Sequence, residues 1–489
     1  MAARRLGQRV DWTVNMSPRA VFVVATIFCC LLVTQAPREA QAAASDELEN
    51  PAAPTSGAQW QIGVNRMAYW SGEEPLINIL AANRADPGWP ADVFDRETQT
   101  FLKIPGGQSS LNIALLRNGA KSNRDYYRGD YIIEWDGDGD VATTLAGAGS
   151  LSREGPNRIR ETYKGNRGGW ASAVIRKIGK CPSDRLRDQC GISNIRIYRA
   201  EHEAALKAGK IFNPDFVKNI ARYDIVRTMD WNMTRGVTRA DQIPDMGAQF
   251  WSGAVVPIEA QFKLAAEAGV ALWLNAPARL GAADGLNARL EAMPDQQARK
   301  ALIATQFDAV AASKEWDNYA ALIVKAMIAT DYPIDRPFYL ELANETWQWG
   351  GGFSYATEWF WSLTDALWDK TGKRYPGNPT RGAYGYLSAR LAAAFAKALD
   401  DAGRGDQPWT LVIGAQTAWG EQVLGPLEGV KDYAALAPAD AFSQPMARFG
   451  LATTGYYRGA FGDAKGGLFG ASVKGAAWRA QWLARLDAD

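Results

Sequence analysis

From residue 212 onward, short apolar runs of strand length alternate with stretches whose apolar positions recur every three to four residues. That alternation is the signature of a parallel α/β fold. Asn213-Pro214 opens a helix to about Ala221, and residues 225–231 read as a strand. Helices over 259–268, 316–330 and 384–402 then alternate with strands over 270–277, 338–345 and 409–416. A further strand is expected at 449–457, followed by an amphipathic helix over 472–486 in which Trp478, Trp482 and Leu486 are four apart. With a first strand at 62–70, the expected architecture is a (β/α)8-type barrel, incomplete at about six βα units. It occupies 59–89 and 201–489.

Between 90 and 200 the pattern changes to short alternating runs separated by Gly, Asn and Asp, such as 110–116, 131–135 and 192–198. This predicts an antiparallel β-sandwich inserted after the first barrel strand. The tract Asp136-Gly137-Asp138-Gly139-Asp140 resembles the start of a calcium loop. It lacks the spacing and closing glutamate of an EF-hand, so a hairpin turn is expected and no metal site.

The N-terminus reads as an export signal. Arg4, Arg5, Arg9 and Arg19 precede an apolar run over 21–33, and Ala40-Gln41-Ala42-Ala43 gives a small-residue cleavage pattern. A retained anchor is the competing reading, although the run is short for a bilayer span. Cleavage after Ala42 removes five arginines, one aspartate and one glutamate and leaves 49 basic against 51 acidic side chains. Such a balance is no footprint for nucleic acid. The expected chain is secreted or periplasmic, free of the membrane once residues 1–42 are removed, with a flexible Ala-, Pro- and Ser-rich lead-in over 43–58. Cys29 and Cys30 leave with the signal, while Cys181 and Cys190, eight residues apart in between, are expected to form a local disulfide.

The residue inventory narrows the chemistry. One histidine, His202, excludes a His-rich zinc site, and it lies in Arg-Ala-Glu-His-Glu-Ala, where a surface or loop position is expected. No GxxxxGK[ST] loop occurs and no GxGxxG follows a strand, so no cofactor is implied. What is left is carboxylate chemistry beside 19 tryptophans and 17 tyrosines. Sugar C–H faces stack on aromatic rings and paired carboxylates cleave glycosidic bonds; most of the tryptophans must nevertheless fill core.

In Phe338-Tyr339-Leu340-Glu341-Leu342-Ala343-Asn344-Glu345-Thr346-Trp347, strand alternation puts Tyr339, Glu341, Ala343 and Glu345 on one face. If that face is the barrel interior, Glu345 sits at the C-terminal mouth, where barrel active sites form. Walled by Trp347 and Trp349, its pKa should be raised, which suits a general acid. Asn344 can then serve a sugar hydroxyl. The plain alternative is a helix N-cap with a first-turn acid. Glu341, deeper in the strand, is expected to pair structurally with Arg227.

Asn344-Glu345-Thr346-Trp347 resembles the acid/base motif of clan A glycoside hydrolases. More closely, the chain resembles a bacterial secreted family of cellulose-binding, barrel-type proteins. The segments that carry this are 65–70 with Glu74-Pro75, 131–139, 192–196, Phe212-Asn213-Pro214, 226–231, Trp273-Leu274-Asn275-Ala276-Pro277 and 341–347. The similarity covers about 60–460. It implies a sandwich embedded in a barrel, binding of β-glucan polysaccharide, the acid/base role at Glu345, and pocket roles for Asn344, Asn275, Asp230 and Trp231. Gln416 and Trp419 near the fifth strand end, and Tyr456 near the sixth, join the substrate-binding candidates. One departure is Ala278, where related chains carry a histidine.

The second carboxylate of a glycosidase is expected to end a seventh strand, which this count does not reach; Glu421 and Asp463 are poorly placed for a nucleophile. The expectation is therefore a C-terminally shortened enzyme. Three readings stand: a glycoside hydrolase acting on a β-linked polysaccharide, a non-catalytic carbohydrate-binding protein, and an adhesion module that uses the sandwich alone.

Overall fold

The computed structural model describes residues 61–455 apart from 65, 69–72, 83–88, 119–126, 146–150, 165–168, 180–190, 233–235, 252–254, 350–353, 374–380, 417–419 and 438–448. The signal, the lead-in, the Cys181–Cys190 pairing and the expected C-terminal helix lie outside the described residues.

After β1 (Gln61–Val64), the chain enters an antiparallel region. Its strands are β2 (Phe94–Asp95), β3 (Thr100–Phe101), β4 (Leu111–Asn118), β5 (Gly129–Gly137), β6 (Gly139–Thr143), β7 (Leu151–Gly155), β8 (Arg158–Tyr163), β9 (Gly169–Ile178) and β10 (Ile192–Arg199). They form a six-stranded sheet in the order β2-β3-β10-β5-β8-β7 and a three-stranded sheet in the order β4-β9-β6. Inward residues of both sheets, among them Tyr131, Ile133, Trp135 and Ile197 from one and Ile113, Val141 and Ile175 from the other, share one buried cluster. That is the packing of a sandwich. The Asp-Gly tract does not make a hairpin. β5 and β6 belong to different sheets, so Gly137-Asp138-Gly139 is the corner at which the chain changes sheet. Gly137 has φ 94°, and a Cβ there would meet the Gly191 carbonyl at 1.9 Å. Both facts demand glycine.

The remaining strands are β11 (Ile225–Thr228), β12 (Ala271–Ala276), β13 (Phe338–Leu342), β14 (Trp409–Gln416) and β15 (Phe449–Gly455). With β1 they make a six-stranded parallel sheet in strict chain order, β1-β11-β12-β13-β14-β15. Helices connect the strands. Pro214–Ile220 starts on Asn213, whose side chain accepts from Asp215 N at 3.0 Å, with Pro214 in the first turn, where its missing N–H is harmless. Ile258–Ala268 ends on Gly269 in the left-handed region. Glu315–Ala329 and Gly382–Asp401 follow the expected periodicity, whereas Ser354–Thr371 and Leu424–Leu436 are additional helices. The fold is thus mixed α/β; among the described residues no pairing joins β15 to β1.

The two faces of the parallel sheet differ. Val226, Leu272, Leu274, Phe338, Leu340, Leu342, Leu411 and Ile413 point into the large core formed with the helices. The other face carries Ile225, Trp273, Tyr339 and Val412, with Arg227, Asn275 and Glu341 in the same alternation. Three strands stop earlier than the apolar pattern predicts: β1 at Val64, β11 at Thr228 and β13 at Leu342. Beyond the last two, Asp230 (φ 59°), Ala343 (φ 61°) and Glu345 (φ 47°) adopt left-handed backbone, which ends strand alternation. His202 also departs from expectation. It lies in the turn Ala200–His202 after β10 and is buried, and burial lowers its pKa.

The helix Gly382–Asp401 approaches Leu424–Leu436 through glycines. A Cβ on Gly385 would sit 1.8 Å from Pro426 O, and one on Gly429 1.9 Å from Gly382 O. Since backbone, not a flexible side chain, would have to yield, Gly385→Ala should lower unfolding free energy by about 1–3 kcal/mol in chemical denaturation. A neutral result would mean that the two helices part readily.

Candidate functional site

The site is built on the C-terminal ends of β11, β12 and β13. Parallel register places Arg227 beside Trp273 and Trp273 beside Tyr339, and it places Asn275 beside Glu341 two residues further along. Glu341 is 1% exposed and Arg227 6%, a depth at which an unmatched charge would be prohibitive. The charge is matched. Arg227 Nε and Nη2 donate to Glu341 Oε2 at 3.0 and 2.8 Å, Trp273 Nε1 at 3.0 Å and Asn275 Nδ2 at 2.9 Å. The guanidinium lies 5.1 Å from the Trp273 ring centroid, a cation–π distance. The expected Arg227–Glu341 pair is therefore present as a structural unit.

This unit fixes two asparagines and leaves each half-used. Asn275 Nδ2 also donates to Ala343 O at 2.6 Å, yet its Oδ1 is buried and has no hydrogen-bond partner. Asn344 Oδ1 accepts from Arg227 Nη2 at 2.7 Å, yet its Nδ2 is likewise buried and unpartnered. Buried polar groups are nearly always satisfied, so an acceptor and a donor left open around one node point to a ligand or water. Trp347 Nε1 is a third buried polar atom, and a second donor, without a partner.

Strand alternation ends before Glu345, because Ala343 and Glu345 have left-handed backbone; Glu345 is half-buried just past the C-terminal end of β13. Burial raises its pKa above the usual value of 4.5, the Arg227 charge opposes this, and the Glu341 charge adds to it. The turn that carries it is braced by Arg381, a residue that sequence reasoning missed. Arg381 is fully buried; its Nε donates to Thr346 Oγ1 at 3.2 Å, Nη1 to Gln422 O at 2.7 Å and Nη2 to Gly414 O at 2.5 Å. It also lies 5.5 Å from the Trp347 ring and 4.9 Å from that of Tyr384. Burial pushes its pKa down to about 10, so it stays cationic at neutral pH. Its position after a Gly- and Pro-rich stretch gave no sign of this role.

The other expected residues are dispersed. Asp230 is half-buried at the end of β11 on left-handed backbone. Trp231 is 1% exposed and belongs to the hydrophobic core, so its ring is a wall rather than an open platform. Trp349 is 43% exposed and meets Trp361 edge-on at 5.1 Å, with Lys300 Nζ 3.1 Å from the Trp361 ring; this is the open aromatic surface near the rim. Gln416 ends β14, while Trp419 and Tyr456 lie outside the described residues. Among the described residues no cluster of three metal-ligating side chains occurs, and no helix is long and apolar enough to cross a membrane. No protein-family model, curated protein or solved structure matches the chain.

Two outcomes are expected. Arg227→Met strands the Glu341 charge and should lower stability by about 3–5 kcal/mol, with part recovered in Arg227→Met/Glu341→Leu; a single variant as stable as the parent would mean the pair is open to solvent. For Glu345, a folded-state pKa above 4.5 means that the protonated form is favoured by folding, a stabilisation lost as pH rises through the raised value. Glu345→Gln should therefore melt higher than the parent at pH 7, and the gap should close as pH falls below the usual glutamate value. A gap independent of pH would assign it to something other than the carboxyl proton.

Proposed function

We propose that this chain is a secreted, carbohydrate-active protein that engages a β-linked glucan at the C-terminal rim of its parallel sheet. We take the sheet to be of (β/α) barrel type, with the Arg227–Glu341 face as the barrel interior. The observation that carries the reading is the pair of open amide ends, Asn275 Oδ1 and Asn344 Nδ2, beside the half-buried Glu345. An unpartnered acceptor and an unpartnered donor around one ion pair suit a sugar hydroxyl, which both donates and accepts. Glu345, with its raised pKa, holds a proton closer to neutrality than an ordinary glutamate and can deliver it to a glycosidic oxygen. The exposed Trp349 edge offers a sugar ring an apolar face. The resemblance to cellulose-binding, barrel-type proteins points the same way.

A second reading, binding without hydrolysis, is favoured by one feature. Among the described residues, Glu341 is the carboxylate whose charge reaches Glu345, and its Oε2 is committed to Arg227, Trp273 and Asn275. Glycoside cleavage needs a second, available carboxylate.

Reducing-sugar release from β-glucans, xylan and mannan separates the two. Hydrolysis predicts release by the parent and a loss of about a hundredfold or more in Glu345→Gln. Retention of polysaccharide without release supports the binding reading. If neither release nor retention occurs, both are wrong.

A further inference from the structure

A second recess lies where the antiparallel region meets the loop before Ile258–Ala268. It has a volume of ≈ 390 Å³, near the lower end of the range for small-molecule sites, about 300–1,000 Å³. Three of its lining side chains hold buried polar atoms without hydrogen-bond partners: Gln249 Nε2 and Oε1, Thr98 Oγ1 and Arg196 Nε. Gln249 is 9% exposed, and neither end of its amide has a hydrogen-bond partner. Its backbone is held in place, because Gln249 N donates to Gln99 Oε1 at 3.1 Å. The wall beside it includes Trp251, whose ring is fixed by an Nε1 bond to Ala248 O at 2.8 Å, together with buried Leu76 and Ile195.

The chemistry of this lining selects a ligand class. Arg196 is the one charged residue among the described lining residues, and it faces Glu134 at 3.8 Å and Asp136 at 3.7 Å. The recess therefore offers no unbalanced charge to an ion. A primary amide with both ends open, a hydroxyl and an apolar ring suit a ligand with adjacent hydroxyls and a C–H face. One water is too small, since each fills about 30 Å³. β10 carries an irregularity in its pairing with β5 between Ser193 and Arg196, the residues it contributes to the lining.

We infer that the recess is a second saccharide-binding site, separate from the Glu345 rim, that takes a neutral mono- or disaccharide through the Gln249 amide. The choice of sugar over other neutral polyols rests on the proposed function, but the site is tested apart from it.

The probe is cellobiose, titrated calorimetrically into the full chain and into Gln249→Leu, Thr98→Val and Asn344→Ala. Binding that survives Asn344→Ala and weakens about tenfold or more in Gln249→Leu is expected, since the variant removes two hydrogen bonds. Thr98→Val should weaken it less. If Gln249→Leu does not fold, Thr98→Val, which exchanges a hydroxyl for a methyl, decides. Binding abolished by Asn344→Ala but unchanged in both recess variants overturns the inference and leaves the rim reading intact. No cellobiose binding by the parent also overturns it, while polysaccharide release, which Gln249→Leu should not alter, judges the rim separately.

Discussion

The Arg227–Glu341 pair is the interaction on which the rest of the site depends. Both groups lie on the face of the parallel sheet opposite its large helix-packed core, too deep for water to solvate them, so each must be matched by the other and by neighbouring dipoles. That requirement draws β11, β12 and β13 into one register, since Arg227, Trp273 and Asn275, and Glu341 come from three strands. Four donors converge on a single oxygen, Glu341 Oε2. The pair also orients the asparagines in opposite senses. Asn275 turns its NH2 to the carboxylate and leaves a carbonyl open; Asn344 turns its carbonyl to the arginine and leaves an NH2 open. An ion pair that is itself structural thereby prepares a donor and an acceptor for something else.

Two carboxylates four residues apart consequently do different things. Glu341 is held inside the sheet through its Oε2. Glu345 would share its face if the strand continued, but left-handed backbone at Ala343 and Glu345 ends that alternation, and Glu345 is half-buried. Such conformations cost of order 1–3 kcal/mol each for residues with a Cβ and persist where the surroundings over-determine them. Here the surroundings include the Ala343 N bond to Ala276 O at 2.8 Å and the Arg381 clamp on Thr346. Both tie the turn to neighbouring strands rather than to its own loop.

Much of the scaffold was legible in the chain. The run at 271–276, apolar but for Asn275, and the 3.6-residue periodicity of 316–330 carry their own physical signatures, and β12 and Glu315–Ala329 follow them. The alternation in 192–198 likewise matches β10. The Arg227–Glu341 pair was legible because two charges at inward strand positions have few alternatives. The strand ends were not legible. Alanine has no preference for left-handed backbone, so nothing at Ala343 announces that β13 stops at Leu342. The corner at Gly137–Gly139 was misread for a related reason: Asp-Gly repeats signal tight backbone, but whether the next strand pairs with the last or crosses to another sheet depends on distant Gly191 and Ile192. The recess around Gln249 was invisible because its walls come from segments more than a hundred residues apart, and an unpartnered amide can be recognised only once its neighbours are known.

The rim and the recess share a logic that sets them apart from the remaining core. In both, the arginine is balanced by acidic neighbours, so the net electrostatic pull on a charged ligand is weak. In both, the groups left open are amide ends beside tryptophan. Selectivity then rests on hydrogen bonding, which is unforgiving in a dry site. A ligand that lacks the matching hydroxyl leaves a buried amide unsatisfied and loses the bond together with the desolvation cost, whereas one that bears a carboxylate or phosphate meets a site whose positive charge is already spent. A neutral polyhydroxylated ring avoids both penalties, and this, more than any single residue, is why the two sites are read as sites for sugars.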